Sequence, residues 1–402
     1  MDVFHSLVIP TRNRQKYIID AVTYYLRDVE NLGEVIVADN SDDRLLILKY
    51  LKPWLYDKRL KILASPDEIL SMKDNWERAI SQASGEWVTF IGDDDILSPD
   101  IPIFLKTLVD NNPTIDFNSF KWRCINFSWK NVDVDGRRNP ASIPIVGDQL
   151  RTIYSRPTLD NILSWYKPDR SNGAGPSIYH GAWRRSLINK VKEFNNGRVF
   201  QADTVDYDAG YNALFCSEKF VVVERPFSIQ GSCEDSNSAS VIDYKAKKIR
   251  TNQWIKEANS FDGLKDLSMP NSVTLVLYFL NKYWMKKHNY FVDVNYSNVM
   301  QGLAKDMAGI DPEYFDLYKD EIIKFIQENE DASELVEYLP DFQPIKRQKH
   351  AIGWNGFMNG QVILDPDKYA DRAIDFADIA FSMLTPWQRV GTKYELHHEN
   401  LN

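Results

Sequence analysis

Three consecutive aspartates, Asp93, Asp94 and Asp95, end the apolar run GEWVTFIG and are the residues here best suited to chemistry. Carboxylate oxygens are the ligands a hard divalent cation takes. Adjacent like charges also repel, and a counter-cation relieves that cost. Taken alone, the triplet is equally an acidic loop in which Asp95 caps the next element. A second acidic group, Asp203, Asp206 and Asp208 in QADTVDYDAG, contains side chains able to act as a general base or simply as helix N-caps. Other polar residues stand at Pro10, Thr11, Arg12 and Asn13, at Asp39, at Lys73 and Asn75, and at His180 and Arg184.

The elements around these residues must bring them together. HSLVIP reads as a short buried strand stopping at Pro10, and Ile18, Ala21, Val22, Tyr25 and Leu26 have helical spacing over 14–26. GEVIVADN, KILAS and GEWVTFIG read as three more strands, with helices expected over 42–55 and 71–83. Such alternation predicts a mostly parallel, doubly wound α/β sheet flanked by helices. Ligands of such sheets bind beyond the carboxyl ends of the strands. Thr11, Asp39 and the aspartate triplet all lie at those ends. Further on, FNSFKWRCINFSW and FVVVERPFSI read as strands, and helical spacing recurs over 243–260, 272–287, 313–329 and 367–383. A domain boundary is expected near residue 240, with a helical C-terminal domain over 241–402.

VIPTRNR, VADNSDD, SMKDNWERAI and GEWVTFIGDDDIL, in this order at strand ends, resemble the successive signatures of family 2 glycosyltransferases with the GT-A fold. The resemblance is strong over about residues 4–110 and loose over about 170–240. It implies a GT-A domain over 1–240, a Rossmann-like sheet whose nucleotide-sugar half is about 1–120 and whose acceptor half is about 120–240. The implied activity is metal-dependent, usually inverting transfer from a nucleotide-diphosphate sugar, a UDP-sugar favoured, to an acceptor hydroxyl. The implied cofactor is Mn²⁺ or Mg²⁺, since a divalent cation offsets the charge developing on the diphosphate leaving group.

The same resemblance distributes roles. Asp95 is expected to contact the metal, with Asp93 toward the ribose or metal and Asp94 beside them. Asp39 is expected to accept a hydrogen bond from the base, and it serves equally as a turn residue. Pro10, Thr11, Arg12 and Asn13 open the first strand-to-helix loop, where amides suit an anion. Lys73 and Asn75 start a helix, with Lys73 directed to ribose or phosphate, or else a solvated helix charge. Asp206 is the first choice for the base, with Asp203 and Asp208 in reserve. His180 is a candidate for phosphate, metal or acceptor and Arg184 for phosphate, against a structural histidine and a surface charge. The polar loop 231–240 is a candidate lid.

Composition narrows the setting. The 402 residues are too many for one compact core. No apolar run approaches the roughly 18 residues of a membrane span, and the acidic Asp2 and short apolar stretch at 7–10 do not form a signal peptide. Cys124, Cys216 and Cys233 share no ligand spacing, so a reduced, cytoplasmic setting is expected, with peripheral membrane contact open at KYWMKKH over 282–288. The net charge of −9 weighs against nucleic acid as a partner, leaving a glycan or lipid-linked glycan as the expected acceptor and self-association open. Two other readings are a nucleotidyltransferase, disfavoured because VIPTRNRQKY lacks the glycines of its phosphate loop, and a non-catalytic sugar- or nucleotide-binding protein.

Overall fold

The computed structural model describes residues 3–29, 31–112, 117–130, 138–145, 147–168, 175–235, 272–308, 310, 312–343 and 355–391. The helix expected over 243–260 and residues 236–240 of the candidate lid lie outside them. The first half alternates β1 (His5–Thr11), α1 (Ile18–Asp28), β2 (Gly33–Asp39), α2 (Leu46–Tyr50), β3 (Leu60–Leu63), α3 (Met72–Ser81), β4 (Trp87–Phe90), β5 (Ile96–Leu97) and α4 (Ile101–Asn111). Strand β1 pairs in parallel with both β2 and β4, and β2 with β3. These strands are covered on both faces, which explains their nearly unbroken apolar runs. Leu7, Ile9, Val35 and Val37 pack toward α1 and α4, whereas Val8, Ile36, Ala38 and Val88 pack toward α3, α6 and α7.

Helix α1 starts four residues later than its periodicity predicts. Asn13 adopts φ +57° and residues 15–17 form a turn before the helix begins at Ile18. The helix expected over 42–55 is α2 followed by a 3-10 turn at Lys52–Trp54, with Pro53 unable to continue the helical ladder. Helix α3 has Ser71 as its N-cap, the hydroxyl accepting the Asp74 N–H.

The middle of the chain holds β6 (Ser119–Trp122), β7 (Ile125–Ser128), β8 (Ala141–Pro144), β9 (Leu150–Tyr154), α5 (Ser155–Leu163), β10 (Gly181–Arg184), α6 (Arg185–Phe194), α7 (Val205–Cys216), β11 (Lys219–Val223) and β12 (Ser228–Ser232). Each of the two long strand-like runs is split between sheets. β6 and β11 pair in parallel in the sheet β3-β2-β1-β4-β10-β6-β11-β9. Their continuations β7 and β12 pair in parallel in a second sheet, β13-β14-β8-β7-β12-β5. Pro226 stands in one of the two crossings.

The chain divides into two compact units: Met1–Ser155 with Gly175–Asp235 and His350–Asn402, and Arg156–Ala174 with Ser236–Lys349. The second unit carries most of α5 and, beyond it, α8 (Val273–Lys287), α9 (Tyr296–Ala308) and α10 (Phe315–Glu328). Ser272 caps α8, accepting the Leu275 N–H. The end of the chain belongs to the first unit. There β13 (Gly356–Met358) and β14 (Gln361–Leu364) extend the second sheet from β8, and α11 (Ala373–Ser382) buries Phe376, Ala377 and Ala380 against it. Among the described residues no helix is long and apolar enough to cross a membrane.

Candidate active site

The polar groups converge because β1, β2 and β4 end together. Thr11 is the register partner of Asp39 across β1 and β2. Thr11 and Asp93 each follow the Val8–Phe90 pair of β1 and β4 by three residues. Accordingly the Thr11 hydroxyl donates to Asp93 Oδ2 at 2.5 Å. Asp39 is buried, with Oδ1 accepting the Ser41 N–H at 3.1 Å. Its Oδ2 is also buried and, among the described residues, has no hydrogen-bond partner. Burial pushes the Asp39 carboxyl above its ordinary pKa.

The three aspartates are all buried and have different partners. Arg14 lies 2.7 Å from Asp93 Oδ1 and 3.7 Å from Asp94 Oδ1. Burial nevertheless pushes both carboxyls up, with the guanidinium pulling against it. Asp95 is fully engaged. Its Oδ2 accepts the Gly92 N–H at 2.6 Å and the Tyr179 hydroxyl at 2.9 Å and meets His180 Nε2 at 3.0 Å, while Oδ1 accepts the Gly231 N–H at 2.7 Å. Three of these partners crowd Oδ2, while Oδ1 keeps a further acceptor position. Burial would raise Asp95; the His180 charge and the hydrogen bonds from His180, Gly231 and Gly92 hold it below the ordinary range. Burial pulls His180 down, and interactions with Cys124 and Asp95 more than offset this, so its pKa lies well above the usual histidine value.

The repulsion read in the triplet is therefore offset by protein cations, Arg14 and His180, and does not itself require a metal. Of the two expected metal ligands, Asp95 carries three partners on Oδ2 and one on Oδ1, and Asp93 has Thr11 on Oδ2 and Arg14 beside Oδ1. Asp94 fits better: Oδ2 accepts the Cys233 N–H at 3.2 Å, Oδ1 has only the distant Arg14, and further acceptor positions remain. Among the described residues no three His, Cys, Asp or Glu side chains form a group able to hold a metal. A cation bound together with a diphosphate needs only one or two carboxylates, since phosphate oxygens and water complete its shell. Asp94 has the acceptor positions to supply the first of them.

Helix α7 brings the second acidic group to the same site. Asp203 Oδ1 accepts the Lys73 N–H at 3.0 Å, and Lys73 Nζ lies 4.0 Å from Asp203 Oδ2, so Lys73 is a buried partner of Asp203. Asp208 Oδ2 accepts the Gln201 N–H at 2.6 Å, tying down the approach to the helix. Asp206 lies half-buried in the first turn of α7, where burial raises its carboxyl and the His180 charge pulls it down.

Several expected ligands make hydrogen bonds within the protein. Asn13 bridges the first two loops, its N–H donating to Ser41 Oγ at 2.8 Å and its amide donating to Asp42 Oδ2 at 2.9 Å. Asn75 donates to the Ala38 carbonyl at 3.1 Å and accepts from Arg78 at 2.7 Å. Pro10 and Arg12 are half-buried at the end of β1. Arg184 lies elsewhere. β10 runs antiparallel to β4, which puts Arg184 opposite Trp87 at the start of β4, ion-paired to Glu86 at 2.7 Å. No role is expected from sequence for Arg14, for Tyr179 or for Trp129, whose indole N–H donates to the Asp94 carbonyl at 3.0 Å. The available signal for Arg14 was a second cation in the loop that faces the triplet.

The family model for glycosyl transferase family 2 matches residues 6–144. The GalNAc(5)-diNAcBac-PP-undecaprenol beta-1,3-glucosyltransferase of Campylobacter jejuni is 35% identical over 218 residues, covering 52% of this chain and 69% of that protein. The crystal structure of S. aureus TarS 1-349 in complex with UDP-GlcNAc aligns with a TM-score of 0.44 at 15% identity, over 84% of this chain and 90% of that one. The same protein in complex with UDP gives a TM-score of 0.42 at 15% identity, over 90% of this chain and 97% of that one. The sequence similarity defines a glycosyltransferase. The chain belongs to glycosyl transferase family 2, which sets aside the nucleotidyltransferase and non-catalytic readings.

Proposed function

We propose that the chain transfers a hexosyl group from a UDP-sugar to a hydroxyl of a lipid-linked glycan, with a divalent cation and with inversion. The observation that carries the donor reading is the buried, unpartnered Asp39 Oδ2 at the strand end next to Thr11 and Asp93. An unpaired buried acceptor is costly, and the N3–H of uracil would satisfy it. Asp94, with Asp93, would hold Mn²⁺ or Mg²⁺. A bound divalent cation neutralises the charge that develops on the departing diphosphate.

Asp206 takes the acceptor proton. As the acceptor oxygen bonds to the anomeric carbon, the bond from that carbon to the diphosphate oxygen breaks, and the nucleoside diphosphate leaves with the electron pair. A carboxylate with a raised pKa is the better base for such a step. The lipid-linked acceptor is supported by the relative's named activity on an undecaprenol-diphosphate glycan. UDP-glucose is accordingly the first donor to try. The test measures UDP release and product formation with UDP-glucose and a polyprenyl-diphosphate glycan, with Mn²⁺ and with chelator. Undiminished transfer in chelator would sink the metal assignment, and a retained anomeric configuration in the product would sink the single displacement by Asp206.

A further inference from the structure

Residues 44–58, RLLILKYLKPWLYDK, hold an array of side chains that the donor site does not use. Leu45 is 74% exposed, Leu48 42%, Leu55 40% and Tyr56 97%. Lys49, Lys52, Pro53 and Lys58 are exposed among them. Single apolar side chains on a surface need no explanation, whereas a cluster marks an interaction surface.

The segment holds these residues outward on a fixed frame. Asp43 Oδ1 accepts the N–H groups of Leu45 and Leu46 at 3.0 and 3.2 Å, starting α2. Ile47 and Leu51 are buried in the core, and Trp54 Nε1 donates to Thr23 Oγ1 at 2.9 Å. The apolar groups left outside have no place in that core.

The charge beside them is positive in a chain of net charge −9. Two neighbouring acids are paired with arginines, Asp57 with Arg59 at 2.7 Å and Asp67 with Arg44 at 2.5 Å, and among the described residues no ion pair involves Lys49, Lys52 or Lys58. The charge of Lys49, Lys52 and Lys58 therefore faces solvent. An open cavity of about 760 Å³ adjoins the segment, lined by Lys49, Tyr50, Lys52 and Pro53 together with Lys16 and Trp129. Trp129 Nε1 in turn donates to the Asp94 carbonyl at 3.0 Å, which connects this wall to the aspartate triplet.

We propose that residues 44–58 are the surface by which this enzyme sits on an anionic lipid bilayer. Leu45, Leu48, Leu55 and Tyr56 enter the boundary between headgroups and acyl chains, and Lys49, Lys52 and Lys58 reach lipid phosphates. Leucine and an aromatic ring beside lysines is the composition that binds such interfaces, and lysine stems extend along apolar surface while their heads stay solvated. The basic run at 282–288 is less suited, because Lys282 is paired with Glu334 at 3.1 Å and Trp284 is buried. The inference rests on the acceptor reading above only for its purpose, since a lipid-linked acceptor is met at a membrane.

The test uses the full chain with vesicles of phosphatidylcholine alone and vesicles that also contain phosphatidylglycerol, read by sedimentation. Binding to the anionic vesicles is expected, weakening as salt is raised. The triple variant K49Q/K52Q/K58Q is expected to bind them about 100-fold more weakly, at roughly fivefold per lysine. The double variant L45S/Y56S is expected to lose binding as well, while both variants keep the wild-type melting temperature and transfer to a water-soluble acceptor. Absence of wild-type binding, or equal binding by wild type and variants, overturns the proposal. So does a wild-type dimer that the variants dissociate, since the occupant is then a second copy. Vesicle binding without sugar transfer would leave this surface standing and count against the donor-site reading alone.

Discussion

The Arg14 guanidinium lies 2.7 Å from the fully buried carboxylate of Asp93. The loop after β1 thus supplies the charge that balances the end of β4. Removing it strands a carboxylate without its partner, which costs about 3 kcal/mol in a buried pair. Arg14→Ala should lower the urea midpoint by a corresponding amount, and Arg14→Lys should recover part of the loss because it keeps the charge but not the fork.

Asp94 and Asp95 should separate activity from stability. Asp95→Asn sets an amide where four donors point, at a cost of about 3 kcal/mol or more. Asp94→Asn retains the shape and leaves the network around Asp95 in place. It should unfold within about 1 kcal/mol of wild type while losing on the order of 100-fold in transfer rate. Paired melting curves and rates decide this, and the reverse pattern would return the principal role to Asp95.

The His180–Asp95 pair gives stability a pH dependence with a definite sign. The folded pKa of His180 is raised, so its contribution is complete below the unfolded value of about 6.5 and is lost as pH rises through the folded value. Asp95 is lowered, so its contribution is present above about 3.9 and is lost as pH falls through its folded value. Urea midpoints of wild type and His180→Gln should therefore differ most below the unfolded histidine value of about 6.5 and converge as pH rises through the folded value. A pH-independent difference would mean that His180 acts as a neutral hydrogen-bonding group.

Gly231 is required by close approach. A Cβ there would lie 1.9 Å from the Asp94 carbonyl oxygen and 3.1 Å from Trp129 Nε1. Gly231→Ala must push the Asp94 backbone away, and it should reduce transfer more than it alters donor affinity, because misplacement of about 1 Å can cost about 100-fold. Steady-state kcat and KM separate the two effects.

Asp206→Asn tests the base. Transfer should fall by about 100- to 10,000-fold with the thermal shift caused by UDP unchanged, since Asp206 is not placed in the nucleotide site. Retained activity would pass the role to Asp203, which is already committed to Lys73.

Much of this architecture was legible because it is written locally. Strands β1, β2 and β4 carry unbroken apolar runs, and Ser71 and Ser272 announce the helices they cap. Pairing partners are not local. The apolar periodicity of α11 is the same whichever unit it packs in, so its return to the first sheet could not be read from residues 367–383. The same alternation runs through 117–129 whether its strands belong to one sheet or two. The place of Arg184 opposite Trp87 depends on the direction of β10, which no motif records. The specific use of each aspartate was equally hidden: Asp95 is occupied by groups from positions 92, 179, 180 and 231.

The two crossings at 122–125 and 223–228 also limit how such a chain can be recombined. Because β6 and β11 stay paired on one side and β7 and β12 on the other, the crossings act as a double stitch, and a chimera that cuts one must cut both. Immediately beyond the second crossing, Gly231 and Cys233 grip Asp95 and Asp94 through their backbones. A graft that keeps both crossings and residues 231–233 from one parent therefore keeps these backbone donors with the carboxylates they hold.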